Sequence, residues 1–305
     1  MLQKKFANLS SENISVGQAY ILLATTVLFW AIGIVIARGV REELPLVGLS
    51  FWRWFSASLI LTPLVYSDLK RNIDIVRANL RLLVTQGCLM IGGGTLLFYA
   101  MNYTAAINGT IVNATQPVVT VFFAWIIFGH RLKGIQMLGV VSAFIGILVM
   151  ISKADWDNLA GLDFNIGDLL IIFAIMCYAL YAINVRKIPK ELSPFTALSV
   201  ILLAGSMLIL PFYIFETLTI KAFPLGLMSV FIVLVLALMI SITSLFMWNL
   251  AIGVVGPGRA GMFVNLIPVY GTLLAITFLG ESLYIYHVIG AVLVCLGIFL
   301  VLKNH

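Results

Sequence analysis

Arg53 is the charged side chain set deepest in an apolar segment of this chain, within Phe51-Trp52-Arg53-Trp54. A guanidinium can hold a carboxylate or a phosphate with two parallel hydrogen bonds. It can also stack on an aromatic ring, bond helix carbonyls or extend toward the membrane surface. A charge at membrane depth is costly and points to function by default. Arg53 is therefore predicted as a substrate contact, and a structural role is the alternative.

Uncharged polar residues recur at helical spacing in three other apolar segments. They are Gly92, Thr95, Tyr99 and Asn102 in one, Gly109, Asn113, Gln116 and Thr120 in the next, and Gly261, Asn265, Pro268 and Thr272 in a third. Such spacing places each set on one helix face. An amide in hydrocarbon is costly without a partner, so these faces should meet a neighbouring helix or a wet cavity. We predict that Tyr99, Asn113, Gln116 and Asn265 bind substrate, with contacts between helices as the alternative.

Signatures of catalysis are not found in the sequence. It has no H-E-x-x-H or G-x-S-x-G motif, and its three histidines, His130, His287 and His305, lie in loops or at segment ends. The three cysteines show no metal-ligand spacing, and the twelve acidic residues lie in loops or at helix ends. We therefore expect no enzyme, no metal and no cofactor. Proton exchange at a membrane-buried Glu is disfavoured for the same reason.

The composition predicts the elements that must position these residues. Hydrophobic residues make up 62% and charged residues 10% of the 305 positions, and the mean hydropathy is +1.12. A soluble domain carries about 25% charged residues, so this chain is predicted to lie in a bilayer, without a soluble catalytic domain. Ten continuous apolar segments are predicted as membrane-spanning helices. They cover about residues 18–38, 47–66, 81–101, 107–128, 134–152, 167–185, 195–215, 226–248, 258–279 and 284–302.

The basic residues indicate how these helices cross the membrane. With a cytoplasmic N-terminus and ten crossings, thirteen of the 18 Lys and Arg residues fall on the cytoplasmic side. The opposite side receives only Arg38, Arg41, Lys153 and Lys221. Short cytoplasmic loops are enriched in Lys and Arg, so both termini are predicted to be cytoplasmic in an inner-membrane protein. The net charge of +6 is then an orientation signal, and no nucleic-acid partner is expected.

Two stretches of the sequence repeat at an offset of 151 residues. The repeated positions are Pro117, Gly129, Leu132, Gly139 and Gly146 in the first half, and Pro268, Gly280, Leu283, Gly290 and Gly297 in the second. Each half has five predicted helices, and because five is odd the second half must enter the membrane upside down. The glycines are predicted to permit turns or close helix packing. Pro117 and Pro268 are predicted hinges, because a proline within a helix removes a backbone hydrogen bond.

The repeated pattern resembles the EamA-type repeats of the drug/metabolite transporter superfamily. It consists of Pro-Val, then Phe/Leu-Gly-x-x-Leu, then a helix with spaced glycines, and it departs from the family at His130, where Glu is usual. The resemblance covers residues 17–152 as a first repeat and 166–302 as a second, inverted repeat. It implies an all-α membrane protein in which two bundles of five helices surround a central cavity.

The resemblance also implies which aromatic residues lie near that cavity. These are Trp30, Tyr178, Tyr181 and Trp248, whose rings could hold an apolar or planar substrate while amides and hydroxyls fix its polar end. Ordinary packing is the alternative for each ring.

The sequence thus predicts a secondary transporter that moves a small polar or zwitterionic metabolite by alternating access. An amino acid or related compound is the expected cargo, and export is expected by analogy with the family. One alternative is uptake or exchange of a nucleobase, a vitamin or an organic anion, favoured if Arg53 faces the cavity. Another is a membrane receptor that transports nothing. The expected partners are the small-molecule substrate and the lipid bilayer, and the protein is expected to be a monomer or a homodimer.

Overall fold

The computed structural model describes residues 14–129, 133–155, 165–189 and 191–302, and within these ranges the chain forms helices and no β-strand. The helices are α1 (Val16–Gly39), α2 (Leu46–Arg71), α3 (Ile73–Ala78), α4 (Leu80–Ala100), α5 (Ala106–Asn113), α6 (Gln116–Phe128), α7 (Gly134–Ile151), α8 (Ile166–Asn184), α9 (Pro194–Thr219), α10 (Leu227–Val235), α11 (Ser244–Phe263), α12 (Leu266–Leu279) and α13 (Ile285–Leu302). A π-helical segment, Leu236–Thr243, joins α10 to α11. The chain termini, His130, Leu132 and His305 lie outside the described residues.

Several of these helices have the length and composition of membrane spans. Six stretches qualify, namely α1, α4, α7, α8 with the turn that follows it, α9, and the continuous stretch Leu227–Gly256. The pair α5 and α6, bent by 42°, would make a seventh. The predicted all-α class is confirmed for the described part of the chain.

Local sequence sets several of the helix ends. At the start of α1, the Ser15 hydroxyl accepts the Gln18 N–H at 3.2 Å, and the Gln18 side chain accepts the Ser15 N–H at 2.8 Å. The helices α6 and α12 end at Gly129 and Gly280, whose φ angles are 66° and 65°. Glycine adopts this left-handed conformation without the steric cost of a side chain. The turns predicted at these two equivalent glycines are confirmed.

The predicted helix at 107–128 is not continuous, and neither is the one at 258–279. α5 ends at Asn113 and α6 begins three residues later, while a second break lies at residues 264–265, between α11 and α12. The prediction of unbroken helices is therefore wrong here. A proline nitrogen cannot donate to the carbonyl four residues earlier, and its ring crowds that carbonyl. The residue four positions before Pro117 is Asn113, where α5 ends, and the residue four positions before Pro268 is Val264, in the second break.

Two further boundaries differ from the sequence prediction. The helix predicted at 226–248 continues well past its expected end, because α11 turns only at Gly256, where φ is 80° and ψ is 160°. The short helix α3, which follows α2, was not predicted. It is only six residues long, too short for a periodic apolar pattern to identify it.

The helices α7 and α13 pack with their glycines in contact. A Cβ atom on Gly139 would lie 2.7 Å from the Gly297 carbonyl oxygen, and one on Gly146 would lie 2.9 Å from that of Gly290. The two helices are antiparallel. At the 151-residue offset, Gly139 corresponds to Gly290 and Gly146 to Gly297, so the two contacts are equivalent. Between the pairs, Ser142 Oγ donates to a carbonyl of α13 at 2.9 Å. The close packing predicted at these glycines is confirmed.

The remaining helix contacts also occur in equivalent pairs that are related by exchanging the first half of the chain with the second. α4 packs on α8 as α11 packs on α1, and α6 packs on α8 as α12 packs on α1. α2 packs on α9, the corresponding helix of the second half. Large apolar side chains fill these contacts, and those with under 2% exposure include Leu23, Leu49, Ile107, Ile171 and Ile201. A two-fold relation between the halves therefore orders the interior.

Candidate functional site

Arg53 lies inside the helix bundle, with 3% of its surface exposed. Its guanidinium carbon is 4.1 Å from the ring centroid of Trp54 and 4.1 Å from that of Phe98 on α4. Each cation–π contact of this kind contributes about 0.5–2 kcal/mol. The Nε atom has no hydrogen-bond partner, and none of the ion pairs among the described residues includes Arg53. The charge is therefore stacked on aromatic rings but has no counter-ion in the described chain.

Tyr178 on α8 lies beside the same guanidinium. A Cβ atom on Gly94 of α4 would lie 3.1 Å from Arg53 Nη2 and 3.2 Å from Tyr178 Oη. Because Gly94 has no side chain, both polar groups can approach the α4 backbone at this point. The structure thus brings together two of the nine predicted substrate residues, Arg53 and Tyr178, from α2 and α8.

Two more of the predicted residues, Trp30 and Trp248, form a second cluster between α1 and α11. Their ring centroids are 5.0 Å apart, and Trp30 Nε1 donates to Ser244 Oγ at 3.1 Å. One turn along α1, a Cβ atom on Gly33 would lie 3.8 Å from Cζ of Phe98, the ring that covers Arg53. Phe98 therefore contacts Arg53 and also lies near α1, the helix that carries Trp30.

The other predicted residues lie elsewhere in the bundle. Tyr99 Oη is 3.0 Å from Tyr103 Oη near the end of α4, and the Tyr181 carbonyl accepts the Gln86 side chain at 3.2 Å. Asn113, Gln116 and Asn265 lie at the two helix breaks. The Oδ1 atoms of Asn113 and Asn265 are buried and have no hydrogen-bond partner. The nine residues are thus spread over several places, and two of them are unpartnered amides beside the predicted hinges Pro117 and Pro268.

A cleft of about 310 Å³ lies between α6, α7 and α8. Its lining is apolar and includes Val119, Phe123, Ile147 and Ile172. None of the nine predicted substrate residues lines it. This cleft is therefore not the polar site that the sequence predicts.

The two ends of the helix bundle differ in their polar contacts. We call one the Glu281 end, where α4, α9 and α12 end and α5 and α8 begin, and the other the Asp68 end, where α2 and α6 end and α9 begins. The Glu281 carboxylate accepts the N–H groups of Ala106 at 2.8 Å and Ile107 at 3.0 Å, the first two residues of α5. Arg38 Nε lies 3.5 Å from the same carboxylate. A negative charge here stabilises the unpaired N–H groups and the positive end of the helix dipole.

A buried hydrogen-bond network adjoins Glu281. Asp168, with 2% exposure, accepts Thr104 Oγ1 at 2.5 Å and Asn108 Nδ2 at 3.4 Å. Asn108 Oδ1 is 3.0 Å from His287 Nε2, and His287 Nδ1 accepts the Tyr284 N–H at 3.0 Å. Because Nδ1 accepts, the proton of the neutral imidazole is on Nε2 and is donated to Asn108. The network connects α8, the start of α5 and the start of α13.

A second carboxylate caps a helix at the same end. Glu216, with 4% exposure, accepts the N–H groups of Val47 at 3.1 Å and Gly48 at 2.7 Å, at the start of α2. The sequence places these acids at helix ends but does not reveal which helix each one caps. One signal was available: the residues before α2 and α5, Pro45 and Ala105, offer no side-chain cap of their own.

The described contacts at the Asp68 end are of another kind, because side chains and not backbone N–H groups donate to its carboxylate. Asp68 accepts from the buried Thr196 Oγ1 at 2.6 Å and from the exposed Arg71 Nη2 at 2.5 Å. Thr62 and Ser199 exchange a hydrogen bond of 2.8 Å between α2 and α9. These contacts tie α2 to α9, and none of them holds α6 to the last turns of α11.

Equivalent positions of the two halves are packed differently. Thr110 on α5 lies directly against Gly271 on α12, so closely that a side chain on Gly271 would overlap it. At the 151-residue offset, these residues correspond to Gly261 and Thr120. No described atom lies within 4 Å of the position that a Cβ of Gly261 would occupy. Among the described residues, the contact is therefore closed toward the Glu281 end, and its equivalent toward the Asp68 end is not formed.

Comparison with known proteins defines the class. The EamA-like transporter family matches residues 17–152 and 165–303 of this chain. Together with the apolar helices, this match defines a multi-pass α-helical membrane protein that is a transporter and not an enzyme. The chain belongs to the EamA-like transporter family, as its resemblance to the drug/metabolite transporter superfamily predicted.

Individual relatives are distant but cover nearly the same length. The uncharacterized transporter YyaM of Bacillus subtilis (strain 168) is 26% identical over 81% of this chain and 81% of its own. A protein of Escherichia coli (strain K12) named probable amino-acid metabolite efflux pump is 23% identical over 92% of this chain and 93% of its own. A solved crystal structure with 16% identity covers 94% of this chain and 98% of that chain with a TM-score of 0.58, which shows the fold alone.

Proposed function

We propose that this protein is a secondary transporter that moves a small polar or zwitterionic metabolite across the inner membrane by alternating access. The observation that carries the proposal is the unequal packing of equivalent positions, Thr110 against Gly271 and an open Gly261. In a transporter built from two repeats, equivalent positions are packed differently when the cavity is closed on one side of the membrane and open on the other. The helix breaks before Pro117 and Pro268 supply places at which each half can bend.

We further propose ten spans in two inverted repeats, 17–152 and 166–302. The bent pair α5 and α6 counts as one span, and the end of α11 with α12 as another. α2 has 26 residues and α13 has 18, lengths of about 39 and 27 Å at 1.5 Å per residue. With the six long stretches these make ten, and an even number puts both termini on one side.

The grouping of charges supports an external Glu281 end. Arg38 and Arg41, two of the four cations predicted on the external side, pair there with Glu281 and Glu42. A third, Lys221, donates to the carbonyls of Glu42 and Glu43. The protein is then closed to the outside and faces the cytoplasm, the state in which an exporter would receive its cargo.

The amino-acid class of cargo and the direction of export are supported by the name of the Escherichia coli relative. Unpartnered amide oxygens on Asn113 and Asn265 at mid-bundle are suited to a substrate that donates hydrogen bonds. A second candidate is uptake of a vitamin or organic anion. It is favoured by the unpaired charge of Arg53 and by a riboflavin transporter of Brucella anthropi that is 22% identical over 51% of this chain.

Two measurements on reconstituted protein test this proposal. Vesicles preloaded with unlabelled amino acids should accumulate radiolabelled amino acids by counterflow. Protein that is stabilised by amino acids but never moves them would instead support the receptor alternative.

Single cysteines then test alternating access, after Cys88, Cys177 and Cys295 are replaced by Ala. A water-soluble thiol reagent should label Thr120→Cys and leave Thr110→Cys unlabelled in resting protein. Amino acids that drive the cycle should raise labelling at Thr110→Cys and lower it at Thr120→Cys. Identical labelling of the two variants, with and without amino acids, contradicts alternating access.

A further inference from the structure

The guanidinium of Arg53 is an incomplete site. It is almost wholly buried, yet none of the described residues forms an ion pair with it and its Nε has no acceptor. The two buried acids and the half-buried Glu281 have other hydrogen-bond partners. Glu216 and Glu281 accept backbone N–H groups at helix starts, and Asp168 accepts from Thr104 and Asn108. A buried charge without a partner is strongly disfavoured. An acceptor from outside the chain is therefore expected at this group.

The aromatic contacts do not remove this need. Trp54 and Phe98 interact with the π-face of the guanidinium plane, at 4.1 Å from its carbon. The N–H bonds of a guanidinium point outward in that plane, toward its edge. Stacking thus fixes the orientation of the fork and leaves its donors available, which is the arrangement that two-pronged recognition of an oxyanion requires.

A hydroxyl lies close to the same fork. Arg53 Nη2 and Tyr178 Oη would lie 3.1 and 3.2 Å from a Cβ atom on Gly94, so both press closely on the α4 backbone at this point. The Tyr178 hydroxyl can donate or accept a hydrogen bond but carries no negative charge, and no described residue places a carboxylate here. A side chain at position 94 would crowd both groups.

We propose that Arg53 and Tyr178 bind the carboxylate of the transported metabolite, which assigns the cargo to zwitterionic or anionic carboxylates and excludes neutral nucleobases. This inference rests on the proposed transport function. The carboxylate accepts from the guanidinium and from the Tyr178 hydroxyl. Phe98 stacks on Arg53 and also lies near α1, the helix that carries Trp30, so the remainder of the cargo is placed on the side of Trp30 and Trp248.

The test uses three probes that share a phenyl ring. They are L-phenylalanine, its carboxamide L-phenylalaninamide, and phenyl phosphate as an alternative oxyanion. Binding is measured by calorimetry on the full-length purified protein, and transport is measured by counterflow. Wild-type protein should bind L-phenylalanine at least about tenfold more tightly than the amide, because hydrogen bonds to a charged group are the stronger ones. Stronger binding of phenyl phosphate than of L-phenylalanine would overturn the assignment to a carboxylate.

Variants separate this subsite from a structural role of Arg53. Arg53→Gln should abolish the preference for L-phenylalanine over the amide. Tyr178→Phe, which removes one hydroxyl and leaves the ring in place, should reduce that preference severalfold. Gly94→Ala should reduce it as well, because its methyl group would displace Arg53 Nη2 and Tyr178 Oη from their positions. Trp248→Phe, which lies outside the subsite, should weaken the binding of L-phenylalanine and of its amide equally, and it serves as the matched control.

The outcomes distinguish the inference from the function on which it rests. If wild-type protein transports both the acid and the amide with equal efficiency, or if Tyr178→Phe and Gly94→Ala keep the full preference, the carboxylate subsite is wrong and transport stands. If wild-type protein transports neither probe nor any other amino acid by counterflow, the proposed cargo class falls and the subsite falls with it.

Discussion

The two ends of the bundle are built from the same repeat but are held in different ways. At the Glu281 end, Glu216 and Glu281 accept backbone N–H groups in the first turns of α2 and α5, and the buried Asp168 accepts from Thr104 and Asn108. At the Asp68 end, the described contacts of Asp68 are with side chains, and Thr62 and Ser199 share one hydrogen bond. At the 151-residue offset, Glu281 corresponds to His130 in the sequence. At this position of the repeat, only the second half has a carboxylate.

This difference explains how a fold built from two similar halves can favour a conformation that is closed at one end. A carboxylate that accepts two helix N–H groups stabilises a closed end, because those N–H groups would otherwise lack acceptors. A histidine at the equivalent position carries no negative charge in either protonation state, so it cannot provide the same stabilisation. The resting protein is therefore expected to be closed at the Glu281 end, and the four predictions below test that expectation from the largest effect to the smallest.

Replacing Glu281 should have the largest effect. Glu281→Ala removes the acceptor for Ala106 and Ile107 and the partner of Arg38, so the free energy of unfolding should fall by about 2–3 kcal/mol. Chemical denaturation in detergent measures this change. Glu42→Ala is the matched control, since its pair with Arg41 is exposed and should be worth less than about 1 kcal/mol. Equal losses in the two variants would contradict a special role for the Glu281 cap.

Substitution of one threonine at each end allows a direct comparison, because each of the two threonines donates a hydrogen bond to an aspartate. Thr104→Val leaves the buried Asp168 without its shortest hydrogen bond, and the expected loss of stability is about 1–3 kcal/mol. Thr196→Val removes the corresponding bond to Asp68, which keeps Arg71 and water as partners, so a loss below about 1 kcal/mol is expected. A larger effect of Thr196→Val would reverse the comparison.

Two glycines at equivalent contacts should respond in opposite directions. Gly271→Ala introduces a side chain into Thr110 and should cost about 1–3 kcal/mol. Gly261→Ala meets open space and should leave stability unchanged or raise it by up to about 1 kcal/mol through helix propensity. The same Gly261→Ala variant should slow counterflow, because its side chain would meet Thr120 once the Asp68 end closes. Normal transport by Gly261→Ala would argue against closure at this contact.

The smallest changes in free energy are expected at the two prolines. Pro117→Ala and Pro268→Ala allow the carbonyl four residues earlier to regain a hydrogen bond, which favours a straighter helix. Each variant should lower the counterflow rate severalfold and leave substrate affinity nearly unchanged. Unaltered rates in both variants would contradict the hinge hypothesis for both helix breaks.

Local features of the fold could be predicted from the sequence because they depend on neighbours in the chain. The turns at Gly129 and Gly280 and the close packing at Gly139 and Gly146 follow from residue type and repeat position. The prolines indicated where helices would be disturbed. The full extent of the breaks was not predicted, because the sequence does not tell whether a proline bends a helix or interrupts it.

The candidate site was only partly predictable for a different reason. Helical spacing placed Tyr99, Asn113 and Asn265 on polar faces, but spacing does not determine which helix a face meets. The structure places Tyr99 against Tyr103 and leaves both asparagine oxygens unpartnered. The pairing of Arg53 with Phe98 and with the surroundings of Gly94 depends on how α2, α4 and α8 cross.

The class of protein can be read from the chain alone, because long apolar runs, the distribution of basic residues and a repeat at a fixed offset are properties of the sequence. The roles of the charged side chains inside the bundle depend instead on how the helices pack. Glu216 and Glu281 accept N–H groups that lie 168 to 175 residues away in the chain. Contacts over such separations depend on the packing of whole helices, and no local pattern of residue types encodes them. The same packing leaves Arg53 without a partner, which turns a residue with two interpretations into a specific proposal for the cargo.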